Sequence, residues 1–204
     1  MDLLAKFLPQ KEFKSYEDFC DNLKVEVPEN FNFSWDVMDV LAQEKGNERA
    51  MLWYDEKGAE AQFTYADIKR LTNQAANALV AGGIRKGDPV MLVLKRRHEY
   101  WPILLALHKI GAVAIPATHL LTAKDIIYRI GAADIVGIIC IDDPEFIRRV
   151  DESEAKIKDE AGGKCSLRFK AFVRYQHGKA DDNTAGAANE SWTDFNKVSV
   201  GSSG

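Results

Sequence analysis

One stretch constrains this chain more than any other. It runs Lys109-Ile110-Gly111-Ala112-Val113-Ala114-Ile115-Pro116-Ala117-Thr118 and continues as Leu121-Thr122-Ala123-Lys124-Asp125-Ile126-Ile127-Tyr128-Arg129. Gly111 is a natural stop for a preceding helix, because glycine takes up the left-handed backbone of a C-terminus without a Cβ penalty. Residues 113–115 are an apolar run too short for a helix and bounded by Gly and Pro, which predicts a strand buried on both faces. Thr122 followed three residues later by Asp125 predicts a capping box and a new helix. Helix, glycine stop, strand and capped helix in such close succession point to a parallel sheet with crossover helices.

The rest of the chain repeats this grammar. Residues 1–30 form a leader with Phe13, Tyr16 and Phe19 in a polar background, and Ser15 before Glu17 and Asp18 predicts a short helix. Ser34 is the expected cap of the next helix, with Val37, Met38, Leu41 and Ala42 on one face and Gly46 at its end. Residues 50–54 and 61–63 flank Asp55-Glu56-Lys57-Gly58 as a hairpin. Thr64 and Asp67 open a helix whose core stripe is Tyr65, Ile68, Leu71, Ala75, Ala78 and Leu79, stopped by Gly82-Gly83. Residues 90–94 read as a buried strand that ends in the basic turn Lys95-Arg96-Arg97-His98. A helix follows over 99–110, with Pro102 in its first turn. A further strand over 135–141 leads to Asp143, the expected cap of a helix with Pro144 at its first position that runs to about Glu160. Residues 167–173 alternate apolar and basic side chains, which predicts a more exposed strand. After Tyr175 the composition shifts to loop material.

The fold expected is α/β: three layers, with a mostly parallel sheet that includes 90–94, 113–115 and 136–141. The domain organisation expected is a leader over 1–30, an α/β unit over 31–176, and a loop or truncated end over 177–204.

Composition removes several classes of function. The net charge of −4 gives no overall basic balance of the kind that binds nucleic acid or anionic lipid. Apolar runs stop well short of the ~18 residues a membrane span needs. The first residues, Met1-Asp2-Leu3-Leu4-Ala5-Lys6, lack the basic-then-apolar order of a signal peptide. Cys20, Cys140 and Cys165 have neither disulfide-like nor metal-like spacing, and His98, His108, His119 and His177 show no repeated ligand interval. A reducing, metal-free, cytoplasmic protein is the expectation. A dinucleotide oxidoreductase would need its glycines between a strand and a helix. Gly82-Gly83 and Gly87 lie between a helix and a strand instead.

The organising stretch also resembles a family. Leu107 with Ile110-Gly111-Ala112 and Pro116 is similar to the L-K-x-G-A-x-x-x-P motif of adenylate-forming enzymes. The continuation through Pro116-Ala117-Thr118, Leu121-Thr122, Asp125-Ile126, Tyr128 and Arg129 resembles the acetyl-CoA and medium-chain acyl-CoA synthetase branch. Phe63-Thr64-Tyr65 with Ile68 resembles the L-T-Y-x-E-L motif of the same enzymes, with Asp67 in place of Glu. The resemblance covers roughly residues 30–198. It implies the N-terminal subdomain of an AMP-binding acyl-CoA synthetase, with ATP, Mg and CoA used by the parent enzyme and a small carboxylic acid as substrate.

The same resemblance implies what is missing. No Thr-Gly-x-Pro-Lys phosphate loop occurs in the sequence, and Ser202-Ser203-Gly204 is set aside as its start because 194–200 is too polar for the strand that should precede it. No catalytic residue and no metal ligand is therefore assigned, and the chain alone is expected to be an inactive fragment with no tightly bound cofactor. The one binding position carried over is Leu120, where the family commonly has Gln near the coenzyme A entrance; any contact there would be apolar or through backbone. His119 beside it reads as a surface histidine, with a polar substitute for that Gln as the alternative. Lys95-Arg96-Arg97 could meet coenzyme A phosphates, but the preferred reading is a solvated basic turn. A stand-alone α/β binding or regulatory module is the competing function. An uncovered sheet edge and apolar surface are expected to favour self-association.

Overall fold

The structure is a computed structural model that describes residues 3–175 and 191–201. After a 3₁₀ turn at Leu3–Lys6, the elements run α1 (Tyr16–Asn22), a π-helical turn (Ser34–Met38), α2 (Asp39–Glu44), β1 (Arg49–Tyr54), β2 (Glu60–Thr64), α3 (Tyr65–Ala81), β3 (Pro89–Val93), α4 (Tyr100–Ile110), β4 (Val113–Pro116), α5 (Ala123–Ala133), β5 (Gly137–Ile141), α6 (Pro144–Glu160), β6 (Phe169–Val173), β7 (Thr193–Asp194) and α7 (Phe195–Val200). Strands β1 and β2 form an antiparallel hairpin. The other five make a parallel sheet in the order β4-β3-β5-β6-β7.

The local signals act where the sequence places them. Thr64 and Asp67 form a reciprocal capping box at α3, and Thr122 and Asp125 do the same at α5. Asp143 Oδ1 accepts from the amides of Glu145 and Phe146 at the start of α6, and Ser15 Oγ accepts from Asp18 N at α1. Gly111 ends α4 at φ +73°, left-handed backbone that glycine adopts freely.

Side chains alternate across the parallel sheet and so divide the core in two. Val90, Leu92, Ile139, Ala171 and Val173 pack beneath α3, α4 and Phe195 of α7. Met91, Val93, Ile138, Cys140 and Phe172 pack beneath α5 and α6, against Ile126, Ile130, Phe146 and Val150. Each buried Val, Leu, Ile, Met or Phe among them contributes about 1.5–3 kcal/mol. Helix α3 lies so close to β6 that a Cβ on Gly82 would stand 2.4 Å from Phe169 Cε2.

Several expectations are corrected. Strand β4 is an edge strand, not one buried on both faces: it pairs only with β3, and Val113 is 49% exposed. Strand β6 is the reverse case, buried in the sheet interior between β5 and β7. Its basic residue Lys170 tolerates this because Asp151 Oδ1 and Glu154 Oε2 each accept from its Nζ at 2.7 Å. Burial alone would lower the Lys170 pKa, but these two hydrogen bonds raise it above the ordinary lysine value. Ser34 does not cap a helix with its side chain. Its Oγ is buried and donates to Leu105 O at 2.6 Å, while Asn32 Oδ1 accepts from Ser34 N at 3.0 Å. In α3, Tyr65 and Leu71 are only half-buried, and Thr72 and Ala76 complete the inner face. Of the loop or truncated end expected over 177–204, the loop reading is corrected for the described residues 191–201. These add β7 to the sheet and pack α7 against α3.

The most demanding packing is polar. Lys109 Nζ donates to both oxygens of Asp39 at 2.9 Å and to Asn73 Oδ1 at 2.7 Å, with its side chain only 4% exposed. Removing one member of a buried pair leaves the other charge without compensation. Lys109→Met is therefore expected to lower stability by about 3–5 kcal/mol, and Lys109→Met with Asp39→Leu by less. Urea unfolding of the two variants checks this order; equal losses would contradict it.

Candidate functional site

The sheet reverses direction at β3. The chain leaves β3 over one face through α4 to reach β4, then returns over the other face through α5 to β5 on the opposite side of β3. Crossovers that diverge from adjacent strands leave a crevice at the strands' C-terminal ends, where ligands bind in folds of this kind. Here that crevice is a cleft of about 1050 Å³, lined among others by Trp53, Lys57, Lys95, Arg96, His119 and Tyr175.

The hairpin forms one wall. Trp53 Nε1 donates to Arg96 O at 2.7 Å, and the Trp53 ring meets His98 edge-on at a centroid distance of 5.2 Å. Phe63 covers His98 at 4.9 Å. The turn that carries the basic residues is thus fixed by aromatic packing, and Lys95 at its head holds left-handed backbone at φ +48°. At the base of the cleft, Arg97 Nη2 donates to Asp142 Oδ1 at 2.6 Å and Tyr175 N donates to Asp142 Oδ2 at 3.0 Å. The Arg97 guanidinium also lies 4.6 Å from the centre of the Tyr175 ring.

Two further groups near the cleft titrate abnormally. Burial pushes the Glu99 carboxyl above the ordinary glutamate range, against smaller opposing effects from its backbone hydrogen bond, Arg97 and Asn196. Glu99 Oε2 stands 3.5 Å from His98 Nδ1. Burial also holds the Cys140 thiol well above its usual value, with Asp143, Asp142 and Asp151 adding to the effect, so it is not an activated nucleophile. Among the described residues, no three His, Cys, Asp or Glu side chains are grouped to hold a metal ion.

The residues singled out from the sequence separate. Lys95, Arg96, Arg97 and His119 all line the cleft, whereas Leu120 projects outward from the β4–α5 connection, 72% exposed, with its amide donating to Thr118 Oγ1 at 3.2 Å. Sequence reasoning missed Trp53, Asp142 and Tyr175. Trp53 had a signal, as an indole in a half-exposed strand. Asp142 and Tyr175 had only their position at the ends of predicted strands.

Fold and cleft together define a doubly wound α/β domain with a ligand crevice at its switch point. Residues 38–198 match the family model for AMP-binding enzymes, and the chain belongs to that family. It is 31% identical over 175 residues to the mitochondrial acyl-coenzyme A synthetase ACSM3 of Mus musculus, covering 83% of this chain and 28% of that protein. It is 41% identical over 122 residues to mitochondrial ACSM5 of Rattus norvegicus, covering 57% of this chain and 21% of that one. The chain thus spans under a third of these relatives. Among solved structures, an anthranilate CoA ligase bound to anthranoyl-AMP superposes with TM-score 0.62 at 20% identity, over 87% of this chain and 29% of that one. A benzoate CoA ligase from Burkholderia xenovorans gives 0.60 at 17%, over 85% and 29%. Both show the same fold.

The raised Glu99 pKa gives a pH dependence with a definite sign. Its folded-state pKa lies above the unfolded value of 4.5, so the folded state binds more protons and stability falls as pH rises from that value through the folded one. Glu99→Gln is expected to stabilise the chain at pH 7, with the gain shrinking as pH falls through the raised folded-state pKa towards the ordinary glutamate value. Thermal unfolding of both proteins from pH 4 to 8 measures this; a pH-independent difference would contradict it.

Proposed function

We propose that this chain is the leading α/β lobe of an ATP-dependent acyl-CoA synthetase, which converts a carboxylic acid, ATP and CoA to acyl-CoA, AMP and pyrophosphate. The carrying observation is the 31% identity to a named acyl-coenzyme A synthetase over 83% of the chain. The string from Lys109 to Arg129 supports it, since its glycine cap, edge strand and capping box set the switch-point geometry. In this reading a small acid, ATP, Mg and CoA are handled by the whole enzyme, and this lobe supplies a wall. Leu120, exposed beside the cleft, offers an apolar contact to CoA.

Adenylation needs donors aimed at the transferring phosphoryl group, and removing one such donor is worth about 3–4 kcal/mol in the transition state. The sequence holds no Thr-Gly-x-Pro-Lys loop to supply them. We therefore propose that this chain by itself does not adenylate. As for compartment, the relatives named above are mitochondrial, and three free cysteines suit any reducing compartment, the expected cytoplasm included.

Pyrophosphate exchange dependent on a carboxylic acid and ATP is expected to stay at background with this chain. Exchange above background would overturn the inactive-lobe reading. The β4 edge, paired on one side only, and the exposed Val113, Leu120 and Tyr128 also lead us to propose concentration-dependent self-association. Sedimentation across a hundredfold range of concentration tests this. A strictly monomeric species with a sharp, high melt would favour the alternative of a self-contained binding module.

A further inference from the structure

We propose that residues 23–27 are an unpaired strand that joins two copies of this chain by antiparallel pairing about Val25. The segment Leu23-Lys24-Val25-Glu26-Val27 lies between α1 and the π-helical turn and belongs to neither. It alternates apolar and charged residues with the period of a strand. Leu23 is extended at φ −63°, ψ 117°, and Pro28 biases Val27 before it to extended backbone. All five residues are exposed, Leu23 at 38% and Val25 and Val27 at 59% each. Two of their amides are engaged: Glu26 N donates to Phe7 O at 2.8 Å, and Leu23 N to Phe19 O at 2.9 Å. Among the described residues, the N–H and C=O groups of Val25 and Val27 and the Leu23 carbonyl have no hydrogen-bond partner. Lys24 and Glu26 are in no ion pair there either.

What fits this edge is a second copy of itself. Backbone groups of successive strand residues point to opposite edges. Glu26 N turns to Phe7, so Val25 and Val27 turn the other way. In antiparallel pairing about Val25, the two Val25 residues exchange both backbone bonds, and each Val27 N–H meets the Leu23 carbonyl of the other copy. Lys24 then falls opposite Glu26 of the second copy, and Glu26 opposite its Lys24. These are the non-hydrogen-bonded positions, where facing side chains stand closest. Leu23, Val25 and Val27 of both copies share one apolar face. The charges fix the register. A slip of two residues one way opposes Lys24 to Lys24, and the other way Glu26 to Glu26. A slip of one puts apolar side chains opposite charged ones. The ends of the segment share the same centre: α1 stops at Asn22, and Pro28, which has no N–H to give, falls opposite it. Charge complementarity therefore selects a second copy as the occupant. So short a ladder makes a weak dimer that forms at high concentration. Neither the β4 edge nor the ligase reading is needed for this contact, so each can fail without the others.

The test is sedimentation equilibrium of the chain and its charge variants at concentrations up to about 0.5 mM, where a weak pairing is populated. Lys24→Glu and Glu26→Lys, each alone, set like charges opposite each other and are expected to weaken association about fivefold or more. That loss should shrink at about 1 M salt, where surface charges are screened. Lys24→Glu combined with Glu26→Lys restores both pairs and is expected to return association to within about twofold of the parent chain. An equimolar mixture of the two single variants is expected to associate more tightly than either alone, because the facing charges are then opposite in sign. All these positions are exposed, and circular dichroism confirms that each variant is folded. Amide exchange followed by NMR is the second arm. Val25 and Val27 are expected to slow as concentration rises, while Lys24, on the other edge, stays fast. Val113→Lys on the β4 edge is expected to leave that protection unchanged, which separates this contact from any through β4. No association at the highest concentration, single variants that associate like the parent, a double variant no better than the singles, or protection of Lys24 in place of Val25 would each overturn the proposal.

Discussion

The ammonium of Lys109 is the point on which the packing around α4 depends. It is bound by both Asp39 oxygens and by Asn73, and its charge lies 4.1 Å from the centre of the Trp35 ring. These partners come from the π-helical turn, α2 and α3, so one side chain joins three segments to the end of α4. The neighbouring backbone completes the join. The last carbonyls of a helix have no partner within it. Here His108 O accepts from Asn32 Nδ2 and Lys109 O from Trp35 Nε1, and one turn inside the helix Leu105 O accepts from Ser34 Oγ. Residues 32–35 therefore act as an external cap for α4. That cap fixes where Gly111 turns the chain and where β4 can begin.

Elements whose chemistry is local were legible in the sequence. The boxes at Thr64 and Thr122 and the cap at Asp143 each need only a side chain and an amide within three residues, and the structure forms all of them. What failed depended on partners far along the chain. Strand β4 reads as an interior strand because Val113, Ala114 and Ile115 are apolar, yet its place at the edge is set by sheet order. Strand β6 reads as exposed because of Lys170, yet Asp151 and Glu154 on α6 neutralise that lysine. Ser34 has a cap's identity and spacing. Its hydroxyl is claimed instead by Leu105, 71 residues away.

The candidate site was half legible for the same reason. The basic turn was visible at the end of an apolar run, and a doubly wound reading places it where ligands bind. Its three cations could not be told apart. Arg97 differs from Lys95 and Arg96 only because Asp142 lies within reach, 45 residues later. The wall opposite was invisible, since nothing in residues 49–64 announces that Trp53 will meet the Arg96 carbonyl.

Asp142 shows how pairing, and not composition, sets the character of the cleft. A chain with net charge −4 has no general attraction for anions. One carboxylate takes Arg97 on one oxygen and the backbone after β6 on the other. Hydrogen bonds to a charged group are worth about 1.5–3 kcal/mol each, so this arrangement ties the C-terminal ends of β3, β5 and β6 together. The pairing withdraws one positive and one negative charge together and leaves Lys95 and Arg96 lining the cavity. Holding the sheet together and setting Arg97 apart from Lys95 and Arg96 are therefore one interaction. A substitution at Asp142 should disturb both at once, whereas one at Lys95 or Arg96 should leave the first intact.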